Sequence, residues 1–210
     1  MYLNDFERQV ICKNKQVVLM MNYYWVSINS RVSTVAYAPK GTPSSRELIT
    51  EIEDNSALPF SLQLHEVCIK DKLEIGELSD NFYDYQPNSL AWPLMSERMK
   101  SIIVAHLTGL EHIEWKEVII EGSTTSKMYY IPMFTSELDT LNIAKSIFVP
   151  SSGVVLKPCF KKDEVEKYAV FHGYSKFWKI TTQIYVNEDI KKELIDLKLK
   201  ELSFSRITIK

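Results

Sequence analysis

Apolar residues recur along this chain at two periods, and the switches between them mark out the elements. Residues 16–28, QVVLMMNYYWVSI, are dense in β-branched and aromatic side chains and predict one strand or a pair; 32–38, VSTVAYA, predict another. Pro39, Gly41 and Pro43 then turn the chain. Ser44 with Glu47 three residues later forms a capping box, which satisfies free amides at a helix start and opens a short helix with Leu48, Ile49 and Ile52 on one face. Asn55 and Pro59 end it. In 60–69, the apolar positions Leu62, Leu64, Val67 and Ile69 predict a strand. Residues 71–91 keep no period and read as a loop packed by its own Phe82, Tyr83 and Tyr85, with a turn at Pro87 and Asn88.

The strongest helical pattern covers 96–109. Ser96 is its N-cap, Glu97 suits the positive end of the helix dipole, and Gly109 fits the C′ position. Met99, Ile102, Ile103, Leu107 and Leu110 form the stripe to be buried. Strands follow at 113–120, 127–134, 154–160, 167–172 and 178–186. Asn187 caps a last helix with Ile190, Leu194 and Leu197 on one face, and 202–209 closes the chain as a strand. At an offset of 91 residues, Met95–Lys100 matches Val186–Lys191, Ile103 falls on Leu194 and Ile113 on Phe204. Any capped αβ unit shares part of this pattern, so it is no argument for ancestry. It does predict two helix–strand units of similar shape.

Together these elements predict an α+β fold, mostly antiparallel sheet with two or three packed helices. The 210 residues form one domain, with sub-lobes at 1–90 (β-rich and acidic) and 91–210. A hydrophobic fraction of 45% and a charged fraction of 25% are those of an ordinary globular protein. The formal net charge of −2 shows no basic excess of the kind nucleic-acid binding uses, so nucleic acid is not an expected partner. The first ten residues, MYLNDFERQV, carry Asp5 and Glu7 where a secretion signal places lysines, and no apolar run reaches the ~20 residues of a membrane span. The expectation is a cytoplasmic protein without a membrane partner. Cys12, Cys68 and Cys159 are odd in number and widely spaced, which predicts reduced thiols rather than disulfides or a zinc site.

Motifs for chemistry are incomplete. His112-Ile113-Glu114 followed by Pro158-Cys159 matches half of a zinc-deaminase signature, but the second cysteine would fall at position 162, which is Lys162. The chain lacks a nucleophile elbow, a phosphate-binding glycine loop, a dinucleotide fingerprint and a paired-histidine zinc helix. We therefore expect no enzyme, metal or cofactor. Charge, however, is uneven. Residues 47–84 hold ten Asp or Glu against two Lys, a local net of −8, whereas 157–179 hold six Lys against three acids. An acidic segment interleaved with aromatics offers steering charge and buried anchors for a basic protein partner. The candidate contact residues are Glu74, Glu77, Asp80, Phe82, Tyr83, Asp84 and Tyr85, with 135–152 as the alternative surface.

The run Asp84-Tyr85-Gln86-Pro87-Asn88, then Pro93-Leu94-Met95-Ser96-Glu97, resembles the core motif of a family of immunity proteins from bacterial polymorphic-toxin systems. Tyr129-Tyr130-Ile131-Pro132, Leu138-Asp139 and Lys145-Ser146 continue the likeness, which spans roughly 80–207. The resemblance implies a small cytosolic protein encoded beside a secreted toxin, which it neutralises by stoichiometric binding. Asp84, Asn88, Pro93 and Ser96 read as scaffold in that motif, and it carries no catalytic residues. It leaves two alternatives open: an enzyme whose site assembles from dispersed residues, and a structural or regulatory subunit of a phage or secretion apparatus. A homodimer is equally open.

Overall fold

The computed structural model describes residues 21–29, 32–53, 57–69 and 73–210; the strand expected over 16–20 lies outside these. In chain order the elements are β1 (Tyr23–Ile28), β2 (Thr34–Tyr37), α1 (Ser45–Glu53), β3 (Leu62–Ile69), β4 (Leu73–Leu78), β5 (Tyr85–Gln86), β6 (Leu94–Ser96), α2 (Glu97–His106), β7 (Ile113–Glu121) and β8 (Ser126–Phe134). They continue with β9 (Ile147–Phe148), β10 (Val155–Lys157), β11 (Cys159–Phe160), α3 (Lys162–Val165), β12 (Val170–His172), β13 (Ile184–Asn187), α4 (Glu188–Asp196), β14 (Leu202–Arg206) and β15 (Thr208–Ile209). The result is an α+β fold of mostly antiparallel sheet. A seven-stranded sheet runs β2-β3-β7-β8-β6-β5, with β4 also pairing β3, and a four-stranded sheet runs β12-β13-β1-β14. β9 pairs β10, and β11 pairs β15 in parallel. β1 thus belongs with β13 and β14, and β3 with β7, so each sheet draws on both sides of residue 90.

The offset of 91 is realised in three dimensions. β6 and β7 both pair antiparallel with β8, so they run parallel to each other with β8 between them and α2 as their crossover. β13 and β14 flank β1 in the same way, with α4 as the crossover. Each unit is a β-α-β crossover split by a third strand. Ser96 accepts from the Met99 amide and Asn187 from the Ile190 amide, both as N-caps in extended backbone. Ser96 pairs with Tyr129 and Asn187 with Tyr23 on the central strands. A short strand, β5 or β12, completes each unit on the β6 or β13 edge.

Two apolar clusters fill the interior. One joins the units: Met99 and Ile103 of α2 and Ile190 and Leu194 of α4 pack with Phe134, Phe160, Phe171 and Tyr185. Each such buried side chain stabilises the fold by roughly 1.5–3 kcal/mol relative to exposure. The other lies on the opposite face of the large sheet, where Leu48 and Ile52 of α1 cover Leu62, Leu64, Ile120 and Ile131. The capping box expected at α1 forms, with the Glu47 carboxylate accepting from the Ser44 amide at 2.8 Å and its hydroxyl at 2.7 Å.

Several boundaries differ from the sequence expectation. α2 stops at His106, and Leu107 leaves helical geometry at ψ 138°, so Leu110 is 51% exposed instead of buried. Gly109, at φ +88°, serves the following turn and not the cap. α4 ends at Asp196, which leaves Leu197 43% exposed. Residues 73–78, expected as loop, form β4; its Ile75, Glu77 and Leu78 are all exposed, so no apolar period announces a strand held by backbone pairing to β3. Pro158, which has no amide to give a ladder, divides the strand expected at 154–160 into β10 and β11. Of 178–186 only the end is strand, of 167–172 only Val170–His172 is, and α3 forms over Lys162–Val165, where no element was expected.

Candidate functional site

The acidic, aromatic segment is built into the fold. Phe82, Tyr83 and Tyr85 are 7%, 6% and 4% exposed. They pack the segment, as expected, but onto the sheet and core and not as exposed surface anchors: Phe82 stacks on Tyr129 at 6.5 Å, and Tyr85 joins the core between the two units. The Tyr83 hydroxyl meets the Ser33 amide at 3.1 Å and receives Asn81 Nδ2 at 3.0 Å, while its carbonyl accepts from the Tyr129 hydroxyl at 2.5 Å. Burial pushes the Tyr85 and Tyr129 phenols above their ordinary range.

The acids of the segment divide by task. The Asp80 carboxylate takes up the β7–β8 turn, accepting from the Ser123 hydroxyl at 2.6 Å, the Thr124 hydroxyl at 2.6 Å and amide at 3.1 Å, and the Thr125 hydroxyl at 3.1 Å and amide at 3.2 Å. Those bonds hold its carboxyl well below the usual carboxylate range. A Cβ at Gly122 would lie 2.2 Å from Asp80 Oδ1, so glycine is what lets the turn close on the acid. Asp84 accepts from the Ser96 hydroxyl at 2.7 Å and the Lys200 amide at 2.9 Å, tying the start of α2 to the turn before β14. Asn88 accepts from the Leu90 and Trp92 amides and donates to the Trp92 carbonyl at 2.6 Å. Glu77 is exposed, and Glu74 lies in β4. The segment thus presents Glu77 to solvent, while its aromatics and the carboxylates of Asp80 and Asp84 are engaged within the fold.

Buried Glu111, 1% exposed, carries a structural role that the sequence does not announce. Its carboxylate accepts from the Thr108 and Gly109 amides at 3.0 Å, the Thr108 hydroxyl at 3.0 Å and the Ala169 amide at 2.7 Å, so it clamps the α2–β7 turn to the chain entering β12. His172 is buried; Nε2 accepts from the Leu138 amide at 2.9 Å and Nδ1 donates to the Gly173 carbonyl at 3.0 Å. Desolvation depresses its basicity. Its two ring nitrogens are therefore already engaged by backbone. Among the described residues no three His, Cys, Asp or Glu side chains are grouped to hold a metal, and no helix is long and apolar enough to cross a membrane. Cys159 is buried with a free thiol; Cys12 and the Cys68 side chain lie outside the described residues.

The surface that stands out is an arm formed by β9 and β10. Ile147 is 52% exposed, Val154 60% and Leu156 70%; Ile143 just before the arm is 63% exposed, and Tyr174 and Phe177 beside it 48% and 38%. The arm's geometry follows from local bonds. Asn142 caps a single 3-10 turn over Ile143–Lys145, and Ser146 Oγ donates to the Asn142 carbonyl at 2.7 Å while accepting from the Cys159 amide at 2.9 Å. Register then slips by one residue between Val155 and Lys157. Such a bulge leaves a residue out of the ladder, and Leu156, between the two, is the most exposed large apolar side chain of the arm. Phe148 and Val155 instead pack on the core. Between arm and the 174–183 loop lies an open cavity of about 900 Å³, walled by Val154, Tyr174, Phe177 and Trp178. A second, of about 300 Å³, adjoins it through Glu137 and Tyr174 and is lined by Ile143 and Leu138. Sequence reasoning named 135–152 as an alternative, which takes in Ile143 and Ile147 but not Val154, Leu156, Tyr174 or Phe177; a signal for the arm is a run, 140–162, with aliphatic residues and four lysines but no Asp or Glu.

Neither a family model nor a curated protein sequence matches the chain.

Proposed function

We propose that the protein works by binding another protein, and that the partner is a bacterial toxin which it neutralises in the cytoplasm without chemistry of its own. The observation that carries the binding reading is the arm region, where Ile147, Val154 and Leu156 stand exposed on the arm, Tyr174 and Phe177 line with Val154 the open groove beside it, and Ile143 lines the adjoining cavity. Monomeric soluble proteins seldom leave such apolar groups clustered at the surface, and aromatic and aliphatic anchors beside a groove are what protein interfaces use. The toxin reading rests on the resemblance of the 84–97 motif. Its residues Asp84, Asn88 and Ser96 have scaffold roles here, in keeping with a binding protein whose motif maintains shape.

The test is co-expression with the product of the adjacent reading frame. A bound one-to-one complex and restored growth of cells expressing that product are expected. Growth arrest unrelieved by this protein, with no complex on gel filtration, would sink the reading.

A further inference from the structure

Resting on that reading, we infer that the arm face receives an acidic protein segment bearing apolar side chains, and not the basic surface that the acidic segment at 47–84 suggests. The charges around the arm decide the sign. Lys161 is paired with Asp139 at 2.6 Å, Lys162 with Glu166 at 3.8 Å, Lys167 with Glu164 at 2.8 Å and Lys179 with Glu53. Lys145, Lys157 and Lys176 are exposed, and none forms an ion pair among the described residues. Lys157 sits opposite Ile147 in the arm ladder, Lys145 lies in the turn that leads into it, and Lys176 borders the groove. Against them stands Glu137 at the groove. A cationic rim around exposed aliphatic and aromatic groups steers an acidic partner into place, and the apolar contacts then hold it.

Two other occupants fit less well. A second copy would bring its own acidic segment, but there the Asp80 carboxylate is taken up by the β7–β8 turn and Asp84 accepts from Ser96 and Lys200, so that of residues 77–84 it is Glu77 that is left to meet the lysines. A membrane surface would meet the tip of the arm first, and that tip is Pro150-Ser151-Ser152-Gly153, all exposed and with no large apolar side chain to insert.

A random twelve-residue peptide library displayed on phage, panned against the intact protein, tests the inference without knowledge of the toxin. Selected peptides should be enriched in Asp and Glu with interspersed apolar residues. A synthetic version should lose affinity about tenfold or more to a Val154→Ser, Leu156→Ser variant. A Lys145→Glu, Lys157→Glu, Lys176→Glu variant should reject it and lose the salt dependence of its association. All five positions are exposed, so unchanged melting temperatures should accompany both variants. Peptides without acidic enrichment, or binding indifferent to both variants, would overturn the inference. So would arm-dependent dimers in sedimentation, or arm-dependent capture by vesicles of phosphatidylcholine with phosphatidylserine. Full neutralisation of the toxin by the triple lysine variant would overturn it while leaving the immunity reading intact; acidic peptides on the arm with no toxin rescued would do the reverse.

Discussion

In the unit built on β8, Glu97 receives the Tyr130 hydroxyl and Lys100 lies over the same ring at 3.6 Å. In the unit built on β1, Glu188 receives the Tyr24 hydroxyl and Lys191 lies over that ring at 3.7 Å. Glu97 to Lys100 is 3.7 Å and Glu188 to Lys191 is 3.6 Å. Both clusters join the first turn of a capped helix to a tyrosine on the central strand, where the helix dipole favours the acid. The units part at their margins. β7 is extended by β3 in parallel, with Leu62 opposite Ile120, while among the described residues β14 ends its sheet. The turn after α2 is clamped by Glu111; its counterpart at the same offset is Leu202, and the turn after α4 relies on Asp84 and on left-handed Lys198 and Glu201. Residues that fix a helix on its sheet are shared, and residues that meet different surroundings are not.

The comparison is most severely tested in the core. Ile103→Ala and Leu194→Ala, at equivalent and buried positions, should each cost about 2–5 kcal/mol in denaturant unfolding. Because both side chains belong to one cluster, the double variant should depart from additivity. An unchanged melting temperature for either single variant would break the equivalence of the two helices.

Glu111→Ala should cost about 2–3 kcal/mol, since it strands the buried Ala169 amide and frees the turn. Glu111→Gln, which keeps an acceptor, should cost less. Equal losses would mean that one amide oxygen cannot stand in for the carboxylate's two, and that the charge and its full set of bonds, not the side chain's packing, matter. Cap removal comes next: Ser96→Ala and Asn187→Ala should each cost about 1 kcal/mol. Ser96→Ala should be the worse of the two, because Ser96 also donates to Asp84.

The smallest effect is electrostatic. Hydrogen bonds from Tyr130 and Tyr24, first among the causes, lower the carboxyls of Glu97 and Glu188 below their ordinary 4.5. Each therefore contributes stability that is fully present above pH 4.5 and lost as pH falls through the lowered folded value. A Glu97→Gln, Glu188→Gln variant should show a shallower acid limb in a plot of stability against pH. An identical limb would show that the two clusters play no part in acid unfolding.

The hairpin strands β7 and β8, the caps at Ser96 and Asn187, the capping box at Ser44 and the paired units were legible because each depends on neighbours within a few residues or on one repeated period. The candidate surface was not. Phe82, Tyr83 and Tyr85 look like anchors beside acids in the linear chain, and only the approach of Tyr129, Ser33 and the joined core turns them inward. Asp80 looks like one more solvated acid until Gly122 and the three hydroxyls of 123–125 close on it. The arm is the converse case. Its aliphatic residues look like core in sequence, and their exposure results from a bulge at Leu156 and from the engagement of Phe148 and Val155 with the core.

By itself, then, the sequence determined the α+β class, the helix starts at Ser44, Ser96 and Asn187 and the similar shape of two αβ units, since periodicity and capping are local chemistry. Which apolar residues stay outside, and which acids are consumed by amides far along the chain, was decided only by the tertiary structure. Burial and hydrogen bonding across long separations depend on what folds up against each residue, and that partner is not written in its neighbours.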